Sequence, residues 1–356
     1  MKLIIQPDDG ASPLISAIKS AKRRIDVAIF RFDQAQIEKA LKDAVSRGVK
    51  VNALIASVNH GGEKGLRKLE MRFLDAGITV ARTDSELIRY HDKIIVIDHR
   101  TLYVLSFNFT HLDIDHSRGF GIVTKNAKWV GEAIKLLDAD FKRTPYTAGM
   151  DTFVVSPSNA RKVLATFLKR AKKQLLIYDP KISDKEMVSI LKDRAKAGVE
   201  IRIIGQTEAP LPVKKLGNLR LHTRTIIRDG SQAFVGSQSL RTAELDSRRE
   251  VGLIIRDTKI VRKLLDTFES DWEASGGDKE ISAKENGEAM SKAETEKTVR
   301  VLMQELDPIA ATVKKTVKKV VAQAGDEVLE DGSLQETVKG VVKKVMKQAV
   351  KEAVKK

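Results

Sequence analysis

Two stretches of this 356-residue chain can be laid over each other without a gap. His91 and His222, Asp98 and Asp229, and Ser106 and Ser237 are each separated by 131 residues. A duplication constrains the fold more than composition does, because both copies must build the same unit and bury the same apolar faces. The repetition reaches upstream. Ile25 to Phe30 reads as a strand, Gln34 to Arg47 as an amphipathic helix closed by Gly48, and Val49 to Ile55 as the next strand. Gln174 to Tyr178, Asp184 to Ala197 closed by Gly198, and Val199 to Ile204 repeat that order. The strands are β-branched runs without polar alternation, as in sheets covered on both faces. The expected fold is therefore α/β, with two pseudo-twofold-related α/β/α sandwich halves on mixed sheets. The halves are placed at residues 1–150 and 151–275. The first has an extra helical stretch, Glu63 to Asp75, and the second a proline-containing connection, Glu208 to Leu216.

The repeated residues form a chemical set. The first copy carries His91, Lys93, Asp98, Ser106 and Asn108; the second carries His222, Arg224, Asp229, Ser237 and Ser239. His and Lys two apart on a strand would point to one face. The Asp ends that strand at a turn, and the next strand delivers the Ser and Asn side chains. Each copy thus offers an imidazole, a cation, a carboxylate and short polar donors, which suits phosphate. Lys and Arg neutralise non-bridging oxygens, and Ser and Asn add directional hydrogen bonds. A pseudo-twofold axis would bring the imidazoles to opposite sides of one phosphorus.

The spacing H-x-K-x4-D-x6-G-S-x-N resembles that of the phospholipase D superfamily, and both copies carry it over roughly residues 1–275. The resemblance implies a two-step reaction through a phosphohistidine. His91 would be the nucleophile and His222 the general acid and base, roles imidazole suits because it titrates near neutrality. Asp98 and Asp229 would orient the imidazoles. Ser106, Asn108, Ser237 and Ser239 would bind phosphate. No metal or cofactor is implied, since Lys93 and Arg224 supply the positive charge. The chain departs from the pattern at Leu105 (for Gly), Arg224 (for Lys) and Ser239 (for Asn). The acidic residue that often follows the motif is Glu250 in the second copy, a supporting residue, but Gly119 at the equivalent place in the first. The segment His111, Asp113, Asp115, His116 reads as a solvated loop at the rim, with metal binding the lesser alternative.

Charge narrows the partners. Net charge is +16; from Gly276 onward there are 16 Lys+Arg and 14 Asp+Glu, so residues 1–275 carry +14. Such a field favours a phospholipid or anionic membrane surface, or nucleic acid. With no cysteine, disulfides and thiolate metal sites are excluded. No signal peptide or membrane-spanning run is legible, and a cytoplasmic location is expected, with a peripheral membrane position as its variant. Residues 276–296 read as a polar linker and 297–356 as a basic amphipathic helical tail. Its Val/Ala stripe suits self-association or an anionic membrane. The first functional expectation is a phosphodiesterase that hydrolyses or transfers a glycerophospholipid diester. A nuclease and a catalytically weakened phosphate-binding module are the alternatives.

Overall fold

The computed structural model of the chain describes residues 1–57, 63–83 and 87–275. The linker and tail expected at 276–356 lie outside the described residues. Among those described, no helix is long and apolar enough to cross a membrane.

The first half contains strands β1 (Lys2–Gln6), β2 (Arg24–Ile29), β3 (Lys50–Ile55), β4 (Thr79–Arg82), β5 (Arg89–Tyr90), β6 (Ile94–Ile97), β7 (Thr101–Leu105) and β8 (Ser117–Thr124). Its helices are α1 (Ser12–Ser20), α2 (Ala35–Ser46), α3 (Glu63–Asp75), α4 (His111–Asp115) and α5 (Ala127–Lys142). The second half contains β9 (Phe153–Ser156), β10 (Gln174–Ile182), β11 (Glu200–Thr207), β12 (Val213–Lys214), β13 (Arg220–Leu221), β14 (Arg224–Arg228), β15 (Gln232–Gly236) and β16 (Arg248–Ile255). Its helices are α6 (Ala160–Lys169), α7 (Lys185–Lys196), α8 (Thr242–Asp246) and α9 (Thr258–Ala274). This is the two-sheet α/β architecture expected, with α3 at the place read for it.

The two sheets have one order. The first runs β1-β8-β7-β6-β2-β3-β4, and the second β9-β16-β15-β14-β10-β11-β12. Both are mixed: β2 pairs parallel with β3 and antiparallel with β6, as β10 does with β11 and β14. Helices α2 and α7 end before Gly48 and Gly198, whose φ values of +83° and +84° turn the chain into the next strand. One apolar cluster joins the facing sides of both sheets with α5 and α9, through residues such as Val96, Phe120, Leu136, Tyr178, Val235 and Leu264. Two outer clusters cover the other faces, one with α1, α2 and α3, the other with α6 and α7. Both strand faces are therefore buried, which is why the strands read as unbroken apolar runs.

Two short strands cross between the sheets. Arg89–Tyr90 pairs with Arg248–Arg249 of the second sheet before the chain enters β6 of the first. Arg220–Leu221 pairs with Ser117–Arg118 of the first sheet before the chain enters β14 of the second. Both histidines lie immediately after these crossings. The His91 amide donates to the Arg249 carbonyl at 2.8 Å and the His222 amide to the Arg118 carbonyl at 3.2 Å. This corrects the reading of His91 to Lys93 as one strand: those residues form the passage from one sheet to the other, and β6 begins at Ile94.

Matched ion pairs lock the crossings. Arg249 grips Asp140 of α5 at 2.8 Å, and Arg118 grips Asp271 of α9 at 2.8 Å. Both pairs join opposite halves, both are buried, and both partners keep the 131-residue offset. Removing one member of such a pair strands a charge in the interior.

Candidate active site

His91 and His222 are both buried at the junction of the sheets. The charges of Lys93 and Arg224 each act on both imidazoles, and the imidazoles act on each other in the field at His91. The fold thus gathers the two histidines and two cations of the duplicated motif into one site. Lys93 Nζ donates to the His91 carbonyl at 2.5 Å, and an Arg224 Nη donates to the His222 carbonyl at 2.6 Å. Each cation is thereby folded back beside its own imidazole. Phe30 stands edge-on to His91, with ring centroids 4.5 Å apart.

The carboxylates that hold the imidazoles are not Asp98 and Asp229. Glu250, fully buried, lies 2.8 Å from His91 Nδ1 across the two halves. Asp113 lies 3.5 Å from His222 Nδ1, again across the halves. Asp98 sits at the far end of β6, about 20 Å of extended chain from His91 at the usual rise per residue. There it accepts from the amides of Lys22, Arg23 and Arg24 at 2.7 to 2.9 Å. Asp229 does the same for Lys172, Lys173 and Gln174, at 2.7 to 3.1 Å. Both adopt φ of +53°, a left-handed turn that Asp tolerates. Burial works against it, yet these amide bonds hold each carboxyl below the usual range. Asp98 and Asp229 are structural staples between α1 and β2 and between α6 and β10, not orienters of imidazole.

The phosphate-binding expectations divide similarly. Ser106 Oγ accepts from the Phe120 amide at 2.9 Å, and Ser237 Oγ from the Val251 amide at 3.1 Å. Asn108 Nδ2 donates to Asp113 at 2.6 Å. Ser239 Oγ donates to the buried carboxylate of Asp179, so its hydroxyl is committed inside the second half rather than to a phosphate. The shorter side chain changes the partner: Asn108 reaches its acid by its amide, while Ser239 reaches the corresponding acid, Glu244, only by its backbone amide at 2.8 Å.

Asp113 corrects the reading of its segment as a solvated rim. It is 2% exposed, pointing inward from α4, while His111 pairs with Asp115 at 3.0 Å near the surface. Among the described residues, no group of three or more His, Asp or Glu side chains is placed to hold a metal ion. A signal for Asp113 was present: Glu244 lies 131 residues on, so the gap-free overlap already matched two acids. The Arg118–Asp271 and Arg249–Asp140 pairs were equally open to that overlap.

Electrostatics follow burial. Desolvation, then the charges of Lys93 and Arg224, hold His91 well below the usual imidazole range, so it is a neutral base with its Nδ1 engaged. Burial pushes Lys93 down to about 7 and the Glu250 carboxyl well up. His222 is also driven down by burial, with Asp113 pulling the other way. Asp113 itself stays below the usual carboxylate range despite burial, because His222, the Asn108 amide and Arg220 favour its charge.

The chain is similar to known proteins. A family model described as a cardiolipin synthase, PLD-like domain matches residues 14–144 and 207–272, which include both histidines. Cardiolipin synthase 1 of Bacillus cereus is 22% identical over 340 residues, covering 77% of this chain and 66% of that protein. The mitochondrial cardiolipin hydrolase of Homo sapiens is 27% identical over 146 residues, covering 39% of this chain and 55% of the relative. The chain thus spans about two thirds or less of the length of these curated relatives. Among solved structures, a polyphosphate kinase from Porphyromonas gingivalis superposes with a TM-score of 0.64 at 20% identity, over 76% of this chain and 50% of that one. A phosphatidylserine synthase from Haemophilus influenzae Rd KW20 superposes with a TM-score of 0.57 at 12% identity, over 77% of this chain and 85% of that one. These two share the fold. With a duplicated histidine motif, two like sheets and a family model matched over more than half its length, the chain belongs to the phospholipase D superfamily.

Proposed function

We propose that this chain is a phosphodiesterase of the phospholipase D type that cleaves or transfers a glycerophospholipid diester through a phosphohistidine. The observation that carries the reading is the pair of buried imidazoles, each with Nδ1 turned to a carboxylate of the opposite half. His91 Nδ1 is engaged by Glu250, which leaves its Nε2 for chemistry, while His222 Nδ1 faces Asp113 at 3.5 Å without a hydrogen bond. His91 Nε2 attacks phosphorus and a P–N bond forms as the bond to the leaving alcohol breaks. His222 gives its proton to the departing oxygen. Water or an acceptor alcohol, deprotonated by His222, then attacks phosphorus and breaks the P–N bond. Lys93 and Arg224 compensate the charge growing on the non-bridging oxygens. An anionic diester between the imidazoles also favours the protonated form of His222 that the first step needs.

The lipid assignment is supported by the relatives, whose names are those of cardiolipin synthases and a cardiolipin hydrolase. A peripheral position on an anionic membrane, from the cytoplasmic side, fits the same reading. The +14 charge of residues 1–275 favours nucleic acid as the second reading. The test is turnover in EDTA of phosphatidylglycerol vesicles beside single- and double-stranded DNA, with acid-labile phosphate trapped on the protein. Lipid turnover is expected, and His91→Asn should lower it by about four orders of magnitude and abolish the adduct. Unchanged turnover in that variant would sink the mechanism, and cleavage confined to DNA would replace the substrate.

A further inference from the structure

The crossing strands begin with matched arginines whose surroundings differ. Arg89 stands opposite Arg248 in the β5–β16 ladder. Arg220, at the equivalent place, stands opposite Ser117 in the β13–β8 ladder. Like charges directly opposite across a ladder repel, and the serine shows that the fold does not require the second arginine. The nearby acids deepen the contrast. An Arg220 Nη reaches Asp113 Oδ1 at 2.6 Å and Ser117 Oγ at 3.1 Å, so this flank is neutral. The matching acid, Glu244, is instead taken by Arg248 at 3.0 Å, with Arg241 3.5 Å away. No described carboxylate forms an ion pair with Arg89, and the Nε atoms of Arg89 and Arg248 are buried without an acceptor. The charges of Glu250 and Glu244 both reach Arg89, and those of Arg248 and Arg31 oppose it, so with Arg241 the guanidinium groups outnumber the two carboxylates on this flank, against one for one on the other.

The charged flank belongs to His91. The Arg89 guanidinium lies 5.3 Å from the centroid of Phe30, the ring that meets the His91 imidazole edge-on. A buried donor without an acceptor is costly, and guanidinium matches a phosphate with two parallel hydrogen bonds. We infer that Arg89 and Arg248 form a second anion subsite beside His91, which takes a further phosphate group carried by the substrate on a short linker from the scissile diester. This rests on the reading of the histidine pair as a phosphodiester site and adds a substrate class to it: diesters bearing a second phosphate. The subsite also makes the site directional, since the His222 flank has no surplus charge to hold such a group.

Calorimetric titration of the full chain in EDTA tests this without turnover, so a protein that binds but does not cleave still answers. Inorganic phosphate is compared with propane-1,3-diyl bisphosphate. The bisphosphate is expected to bind at least about tenfold more tightly, a gain that Arg89→Gln removes and Arg89→Lys partly keeps. Arg220→Gln should retain the gain. Equal affinity for the two ligands, or a gain that survives Arg89→Gln in a protein with unchanged circular dichroism, overturns the subsite. Two further pairs name the source of the phosphate. One is the dinucleotide TpT against its 5′-phosphorylated form. The other is phosphatidylglycerol against phosphatidylglycerol phosphate in phosphatidylcholine vesicles. The pair showing an Arg89-dependent gap identifies it, and a gap in neither counts against the proposal.

Discussion

The two imidazoles are delivered by the same device and supported by different acids. His91 has Glu250 at 2.8 Å, whereas the residue equivalent to Glu250 on the other side is Gly119. A side chain does not fit there: a Cβ on Gly119 would come within 2.9 Å of the Phe107 ring. His222 turns instead to Asp113 at 3.5 Å, a carboxylate it shares with Arg220 and Asn108. Pseudo-symmetry therefore holds for backbone and for interdomain ion pairs, and fails where each imidazole needs its acid. The first histidine has a dedicated partner; the second borrows one already committed to an arginine. That inequality fits the duties proposed for them, His91 as nucleophile and His222 as proton carrier.

Asp140→Ala leaves Arg249 charged and buried, and should lower unfolding free energy by about 3–5 kcal/mol, read by urea denaturation. A loss below about 1 kcal/mol would mean that the crossing strands are held by something else.

Next comes the difference itself. Glu250→Gln should cut kcat by about a hundredfold and Asp113→Asn by about tenfold, because only the first removes a dedicated imidazole partner. Asp113→Asn should also move the basic limb of the pH–rate profile to lower pH, since Asp113 favours the protonated form of His222. Equal losses in the two variants would show that the supports are equivalent after all.

The smallest effect concerns Asp92, whose counterpart in the second half is Thr223. Burial, then the charge of Asp140, raises Asp92 to about 7 from an ordinary 3.8. The folded chain therefore binds a proton in that interval that the unfolded chain releases. Its stabilising contribution is full below 3.8 and is lost as pH rises through about 7. Asp92→Asn should gain on the parent by at least about 1 kcal/mol in unfolding free energy between pH 5 and pH 8. A constant difference across that range would count against a buried, protonated Asp92.

Much of this architecture can be read from residues alone. Gly48 and Gly198 close helices where the pattern places them, and the apolar runs of β2, β3, β10 and β11 announce sheets buried on both faces. His91, Lys93, His222 and Arg224 could be named because chemistry and spacing coincide within a few residues. Asp98 and Asp229 show the limit of that reasoning. Their invariant spacing from each histidine reflects the length of one strand, and the strand carries them away from the site to staple a turn. Ser239 was legible as a short polar residue, yet only the position of Asp179 shows where its hydroxyl goes.

The sequence by itself determined that there are two copies of one unit and which imidazoles and cations they contribute, because these follow from local periodicity and a constant offset. Tertiary structure alone decided which acid serves which imidazole. Glu250 reaches His91 across 159 residues of chain, and Asp113 reaches His222 from the opposite half, because the crossing strands join the two packed sheets at the site. Contacts of that kind depend on how the halves pack, and no spacing within one copy encodes them.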